Sequence, residues 1–507
     1  MPTPIRSVTM LAAVVAATLA AHLAALPAAG AAGERDITVA QGIDAEFLDV
    51  QMTNNIVTLI INTSIYDTLL TRDKQLQLVP NLAVAYKLVS EKVWEVKLRQ
   101  GVKFHNGEPF DAGAVKFSFE RINRPDFKSP QKGWFGPIDH VEIVDAFTVR
   151  FHTKVPDPAM PARMTLMYQL APKYVAQVGD VQANLKPVGT GPFRFVEWQK
   201  NERIVVEAND AHWSGKPAVR RATWRPIPEL GARIAALQTG QADLIVNVPP
   251  DQLQTLTATK NVRVEKIPSC RIIYFGIAQI KGGPLGDRRV RQAINYAVDV
   301  QGIIDSVLLG NGKRINSSMP PNVWGYDPSI PLYEYNPTRA KELLAAAGQT
   351  SLALTLQAPN GRWAMDKDIA QAVAGQLTEN GIKTNVKIIG EWGSYVRSVL
   401  DHKTEDIFMN GWCLPSLEPD HWVTPNLHTG EPVSQYSNPE VDKLMEQARA
   451  EMNTDKRKQL YGQLLRLIHD DAPWLFGYQQ MDIYGVSNRL KWTPRGDESI
   501  RLPEISF

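Results

Sequence analysis

Cysteine is almost missing from this chain: there are two in 507 residues. That allows one disulfide at most and excludes a cysteine-built metal site. Excess charge is missing too, since the formal net charge is only +2. Basic residues do not cluster, so neither nucleic acid nor an anionic membrane surface is indicated as a partner. No G-x-S-x-G and no H-E-x-x-H occurs, and serines and histidines do not gather. A secreted hydrolase therefore lacks its machinery, and the chain is read as a non-enzyme with no cofactor. Internal repeats and low-complexity linkers are absent. A chain this long exceeds one ordinary core, so two or three domains are expected, sharing crossing segments rather than lying in series.

The first 32 residues differ from the rest. Arg6 supplies a minimal positive region, and Val8 to Leu26 is dominated by Ala, Val and Leu. Small residues then crowd Pro27 to Gly33, with Ala29-Gly30-Ala31 as an A-x-A-like cleavage site. A cleaved signal peptide over 1–32 is expected, with the mature chain starting near Ala32 in a periplasm. No cysteine lies near this site, which excludes lipid attachment there.

Asp36 to Ala40 reads as an opening strand, and Trp94 to Arg99 alternates with Trp94, Val96 and Leu98 on one face. Asn106-Gly107 signals a tight turn, and Asp111 offers an N-cap to a helix ending near Arg121. His105 in that turn is read as structural. Val144 to His152 continues the strands. Gly189-Thr190-Gly191-Pro192 is not a phosphate loop, because no Lys-Ser/Thr follows and the run enters a strand. Ala222–Ile227, a helix over Glu229–Thr239 and Asp243–Val248 make a βαβ unit. In Asp287–Asp299 the apolar stripe is Val290, Ala293, Ile294 and Ala297, with Arg288, Arg289 and Arg291 as the solvated face. Asn336-Pro337 and Asn438-Pro439 start two helices, and Asp455 opens another.

The chain is organised around Asp406 to His421, DIFMNGWCLPSLEPDH. A short strand over 406–410 follows two others, Ser351–Gln357 and Lys383–Ile389, with helical patterns between. The β-α-β-α-β order implies parallel strands with right-handed crossovers. In such sheets ligands bind beyond the carboxyl ends of the strands. The three loops there bring Arg362, Trp363, Glu391, Trp392, Trp412, Glu418 and Asp420 towards one crevice. Aromatics with a few opposed charges suit a small zwitterionic ligand. Arg362 is the expected fork for an anionic group, with Lys367 as the substitute, and Trp412 packs against the ligand's body.

Several runs occur in order: YDTLL (Tyr66–Leu70), GVKFHNGEPFDAGAVKFSFERI (Gly101–Ile122), VGTGPFRF (Val188–Phe195), DRRVRQAINYAVD (Asp287–Asp299), NGRW (Asn360–Trp363), Gly411-Trp412 and YSNPEVDKLMEQAR (Tyr436–Arg449). Together they resemble the family 5 extracytoplasmic solute-binding proteins, the peptide, nickel and opine binders of ABC importers. The resemblance implies an α/β, two-lobed periplasmic binding protein (type II-like) with an additional domain inserted in the first lobe. Lobe I is expected over 33–72, 187–268 and 483–507, the insert over 73–186, and lobe II over 269–482. A monomer is implied that closes about a hinge and delivers its solute to inner-membrane permease subunits.

In the family's peptide binders the Gly-Trp or Asn-Trp-Cys loop is followed within three residues by an aspartate for the ligand's amino group. Here Leu414–Pro415 stands there. A standard free-amino peptide is thus less suited than a modified peptide such as glutathione, an opine-like conjugate or another small organic ion. Glu418 and Asp420 are candidate replacements. A nickel or metal-chelate member is the alternative, but His421 and His428 lack supporting ligands. An envelope chaperone using the crevice is a third reading. Cys270 and Cys413 resemble a pair that is joined in oligopeptide-binding members; two separate buried thiols is the alternative.

Overall fold

The computed structural model describes residues 33–507, so the signal segment expected over 1–32 lies outside the described residues. Its frame is a pair of long antiparallel strands, Val262–Ile277 and Trp474–Ser487. They pair from Val262 opposite Ser487 to Gly276 opposite Trp474, with the register broken between Pro268 and Ile272. Beta-branched and aromatic residues are frequent in both, and the run from Ser269 to Ile277 is buried throughout, as expected of a strand covered on two faces. Their two ends enter different cores. Tyr484 and Val486 pack with Ile37, Val39 and Trp224, whereas Ile273, Phe275 and Leu475 pack with Ile294, Leu356 and Ile407.

The main sheet extends from this pair in both directions. On one side come Leu244–Ile245, Asp36–Gln41, Arg221–Pro226, Arg203–Ala208 and Phe193–Gln199. The opening strand is parallel to both of its neighbours. The βαβ unit expected over 222–248 is therefore threaded: its helix, Leu230–Gln238, crosses over Asp36–Gln41, and its two strands never touch. On the other side lie Ile407–Trp412, Leu352–Pro359 and Ile382–Ile389. These three are mutually parallel, with helices Asp366–Glu379 and Trp392–Leu400 as the connections.

A separate four-stranded antiparallel sheet lies between residues 83 and 153, in the order Ala83–Ser90, Val93–Leu98, Thr148–Thr153, Ile138–Asp145. Helix Ala112–Asn123 covers it, started by Asp111, whose carboxylate accepts from the Ala114 amide. Val115 and Phe119 pack there with Val96, Val149 and Phe151. Val144–His152, expected to continue the strands, does so around a hairpin corner. Asp145 accepts from the Phe147 amide at 2.8 Å, and Asp145 pairs with Thr148 across a two-residue turn. Apolar Ala146-Phe147 at the tip hides that turn from a periodicity reading.

Arg291 is a second correction. It is buried, not solvated: it pairs with Asp471 and donates to the Leu285 and Gly286 carbonyls, while Arg288 and Arg289 are exposed. A long guanidinium stem lets a polar residue sit on an apolar face once each N–H is matched. The long helix Thr454–Asp471 is capped by Asn453, two residues before the expected Asp455. The Gly189–Pro192 loop serves close backbone contact. A β-carbon on Gly189 would stand 2.1 Å from the Ile65 carbonyl oxygen, and one on Gly191 2.5 Å from the Ile65 carbonyl carbon. His105 closes on the same loop, its Nε2 2.9 Å from the Gly191 carbonyl oxygen. Burial lowers its pKa to about 4, so it is neutral and structural.

Candidate functional site

The loop after strand Leu352–Pro359 is built on Asp366. Its buried carboxylate accepts from the amides of Gly361 (3.0 Å), Arg362 (2.8 Å) and Trp363 (3.1 Å). Three backbone donors on one carboxylate fix the turn, which Gly361 enters at φ +83°. Trp363 is then pressed onto Gly411, where an added β-carbon would lie 2.8 Å from the indole. Trp392 meets Trp363 edge to face at 5.7 Å. The Arg362 guanidinium lies 5.6 Å from the Trp363 ring centre and 5.3 Å from that of Trp392.

Arg362 and Trp363 line a cavity of about 50 Å³ between the two halves of the main sheet. The opposite wall is Ile56, Val57 and Ile60, from the helix Ile56–Asn62 that Asn55 caps. Its base is the strand Trp474–Ser487. Period-two alternation turns Gln480, Asp482 and Tyr484 to the cavity, while Ile483 faces another core. Arg271 and Glu498 complete the lining as a bidentate pair, both contacts 2.7 Å. A neighbouring space of about 20 Å³ shares Ile56 and Ile60 and is walled by Arg72, Tyr168, Pro415 and Arg501.

The polar groups here differ in how well they are matched. Arg362 makes no side-chain hydrogen bond or ion pair among the described residues. Burial first, then the charge of Arg271, brings its pKa down to about 10, so it remains a cation. Arg501 likewise makes no ion pair among the described residues, and its Nε is buried without a hydrogen-bond partner there. Asp482 accepts from Gln480 Nε2 at 2.7 Å through Oδ1, but Oδ2 has no partner among the described residues. Burial, then repulsion by Glu498, pushes the Asp482 carboxyl up to about 8. The cavity therefore favours an anion and has no nucleophile–base pair.

The remaining expected residues lie elsewhere. Trp412 is half-buried and held by its Nε1, which donates to the His421 carbonyl at 2.8 Å. Lys367 is exposed on the first turn of helix Asp366–Glu379. Glu391 is spent as an N-cap, accepting from Gly393 and Ser394. Glu418 and Asp420, expected in the crevice, do not line this cavity. Buried Glu418 pairs with Arg457. Asp420 sits between Arg449 at 3.0 Å and Arg163 at 3.2 Å. Arg163, from the short helix Met160–Arg163, also holds Asp157 and the Nε2 of His421. Burial and Arg163 lower the pKa of His421 to about 3. Its Nε2 accepts from Arg163, so its proton is on Nδ1, 2.7 Å from Ser416 Oγ. The motif was visible in the sequence, but its partners, Arg163, Arg449 and Arg457, are distant in the chain. Asp366, Arg271, Asp482 and Glu498 carried no sequence signal, because their roles depend on what they face.

Cys270 and Cys413 are joined, with a Cα–Cα distance of 5.2 Å, within the ordinary disulfide range. The bond ties the crossing strand to the residue after Trp412. Glu498 lies within 4.8 Å of both sulfurs, but sulfurs bonded to each other are not thiolate ligands.

The model of the bacterial extracellular solute-binding proteins, family 5 Middle, matches residues 77–432. The chain belongs to this family. Among its family 5 relatives, the glutathione-binding protein GsiB of Pectobacterium atrosepticum is 30% identical, with 91% of each chain covered. The periplasmic binding protein DppA from Helicobacter pylori, solved with the peptide STSA, superposes at a TM-score of 0.84. It is 25% identical, with 93% of this chain and 98% of that one covered. AppA from Bacillus subtilis, solved with a nonapeptide, gives 0.81 at 26% identity, with 93% and 98% covered. The two-lobed α/β architecture and the solute-binding role of family 5 are thus those of this protein.

Proposed function

We propose that this protein is the periplasmic receptor of an ABC importer and captures a small carboxylate-bearing, peptide-like or amino-acid-derived solute between its lobes. One observation carries the anionic preference: Arg362 stands in the inter-lobe cavity without a carboxylate, while its neighbour Arg271 is neutralised by Glu498. An arginine fork is suited to a carboxylate, and indoles beside it suit the body of a small organic ligand. The glutathione-binding relatives support the solute class, and the ABC transporter-associated DppA with its bound peptide supports both that class and the importer partner. The lobes are 33–72, 187–268 and 483–507 against 269–482, with 73–186 as the insert. The bulge between Pro268 and Ile272 serves as the hinge. A nickel-type site finds little support, since His421 is committed to Arg163 and Ser416.

Calorimetric titration of glutathione and of small peptides tests the reading. Arg362→Ala should weaken binding at least tenfold, about 1.4 kcal/mol. Unchanged affinity in that variant would remove Arg362 as the anchor.

A further inference from the structure

Two groups in the inter-lobe cavity have polar atoms without a hydrogen-bond partner or ion pair among the described residues, one a guanidinium and one a carboxyl. Arg362 is one. The other is Asp482, 6% exposed, whose Oδ2 is buried and unpartnered. A carboxyl group desolvated in this way is costly unless something cationic or donating arrives to meet it. Ile267, which faces Asp482 across the strand pair, offers nothing. The polar and charged groups around Asp482 are Gln480 and Tyr484 on its own strand, Ser269 and Arg271 on the crossing strand, and Glu498 and Arg362 from two loops. Arg271 is already held by two bonds to Glu498. Ser269 donates to Glu498 at 3.1 Å.

We propose that Asp482 is the receptor for the solute's ammonium group, so that the ligand is an amine-bearing carboxylate held between Asp482 and Arg362. This rests on the solute reading above and narrows it to zwitterionic head groups, those of a free amino acid, a γ-linked peptide or a dipeptide, which reverses the expectation from the sequence that a free-amino peptide is less suited. The binding step balances as an exchange. Near neutral pH the free protein holds a proton on Asp482, because of burial and Glu498. The incoming ammonium replaces that proton, which leaves to solvent, and an ion pair forms. Binding of an amine should therefore release close to one proton at pH 7, and affinity should rise with pH towards about 8.

The test is calorimetry at pH 7 in two buffers of different ionisation heat. The probes are glutathione, the dipeptide Met-Leu, and the N-acetylated form of each. The wild-type protein should prefer the free-amine forms at least tenfold and release a proton with those forms only. Asp482→Asn keeps an acceptor for Gln480, so melting should be no lower than wild type. It should lose both the preference and the proton release, while the acetylated probes bind as before. Retention of preference and release in folded Asp482→Asn would overturn the assignment. An effect of Asp482→Asn with none of Arg362→Ala would overturn the carboxylate anchor and leave Asp482 standing. Failure of all four probes to bind the wild type would remove both.

Discussion

Asp420 offers the sharpest separation between holding the fold and holding the ligand. Its carboxylate is 5% exposed and lies between Arg449 and Arg163. Burial alone would raise its pKa, but the two guanidinia reverse this and hold it well below the usual carboxylate range. Asp420→Asn keeps the shape and removes the charge. Breaking a buried pair from one side costs ~3–5 kcal/mol. The lower end applies, because Arg163 keeps Asp157 and the Trp134 carbonyl. At ~2.1 cal/mol/K per residue over the 475 described residues, unfolding entropy is ~1 kcal/mol/K, so melting should fall by about 3 °C. The sign with pH follows from a depressed pKa. The stabilisation is present in full above the unfolded value of about 4 and is lost progressively as pH falls from there through the depressed folded value, so the gap between wild type and variant should begin to narrow by pH 3. Differential scanning calorimetry from pH 7 to pH 3 reads the stability, and titration at pH 7 reads the ligand affinity, which should be unchanged. An unchanged melting temperature with a tenfold loss of affinity would return Asp420 to the binding site.

Reduction of the Cys270–Cys413 bond, which spans 143 residues, should lower the urea midpoint; the chain-entropy ceiling is about 5 kcal/mol. Thiol titration of denatured protein should find none before reduction and two after; two at the outset would refute the bond. Gly411→Ala places a β-carbon 2.8 Å from both Ile273 and Trp363. It should displace Trp363 and weaken both stability and ligand affinity by about 1–3 kcal/mol; a variant matching wild type in both assays would show that the loop gives way freely.

Local signals in the sequence reached most of the frame. The parallel strands around 352–412 were legible because each is a short apolar run followed by a helical period. Caps such as Asp111, Asn336 and Asn438 were legible because their side chains act on amides two or three residues away. What stayed out of reach was non-local. Glu418 and Asp420 belong to a loop of the right kind, and only arginines from positions 163, 449 and 457 decide which way they are used. The solvated reading of Arg291 failed similarly, for Asp471 is 180 residues away. Arg362 and Trp363 could be nominated because the loop after a strand is a general place for ligands, and both do line a cavity. Asp482 and Glu498 were missed because an isolated acidic residue looks the same in sequence whether exposed or buried.

The crossing strands bear on the order in which the molecule can be made. Trp474–Ser487 stands between Val262–Ile277 and Leu244–Ile245, yet it comes almost last in the chain. Until it arrives, each half of the main sheet lacks the strand on which its core closes. The strand that lines the cavity is thus also among the last pieces of the main sheet to be made, so both halves of that sheet are complete only once nearly the whole chain is present.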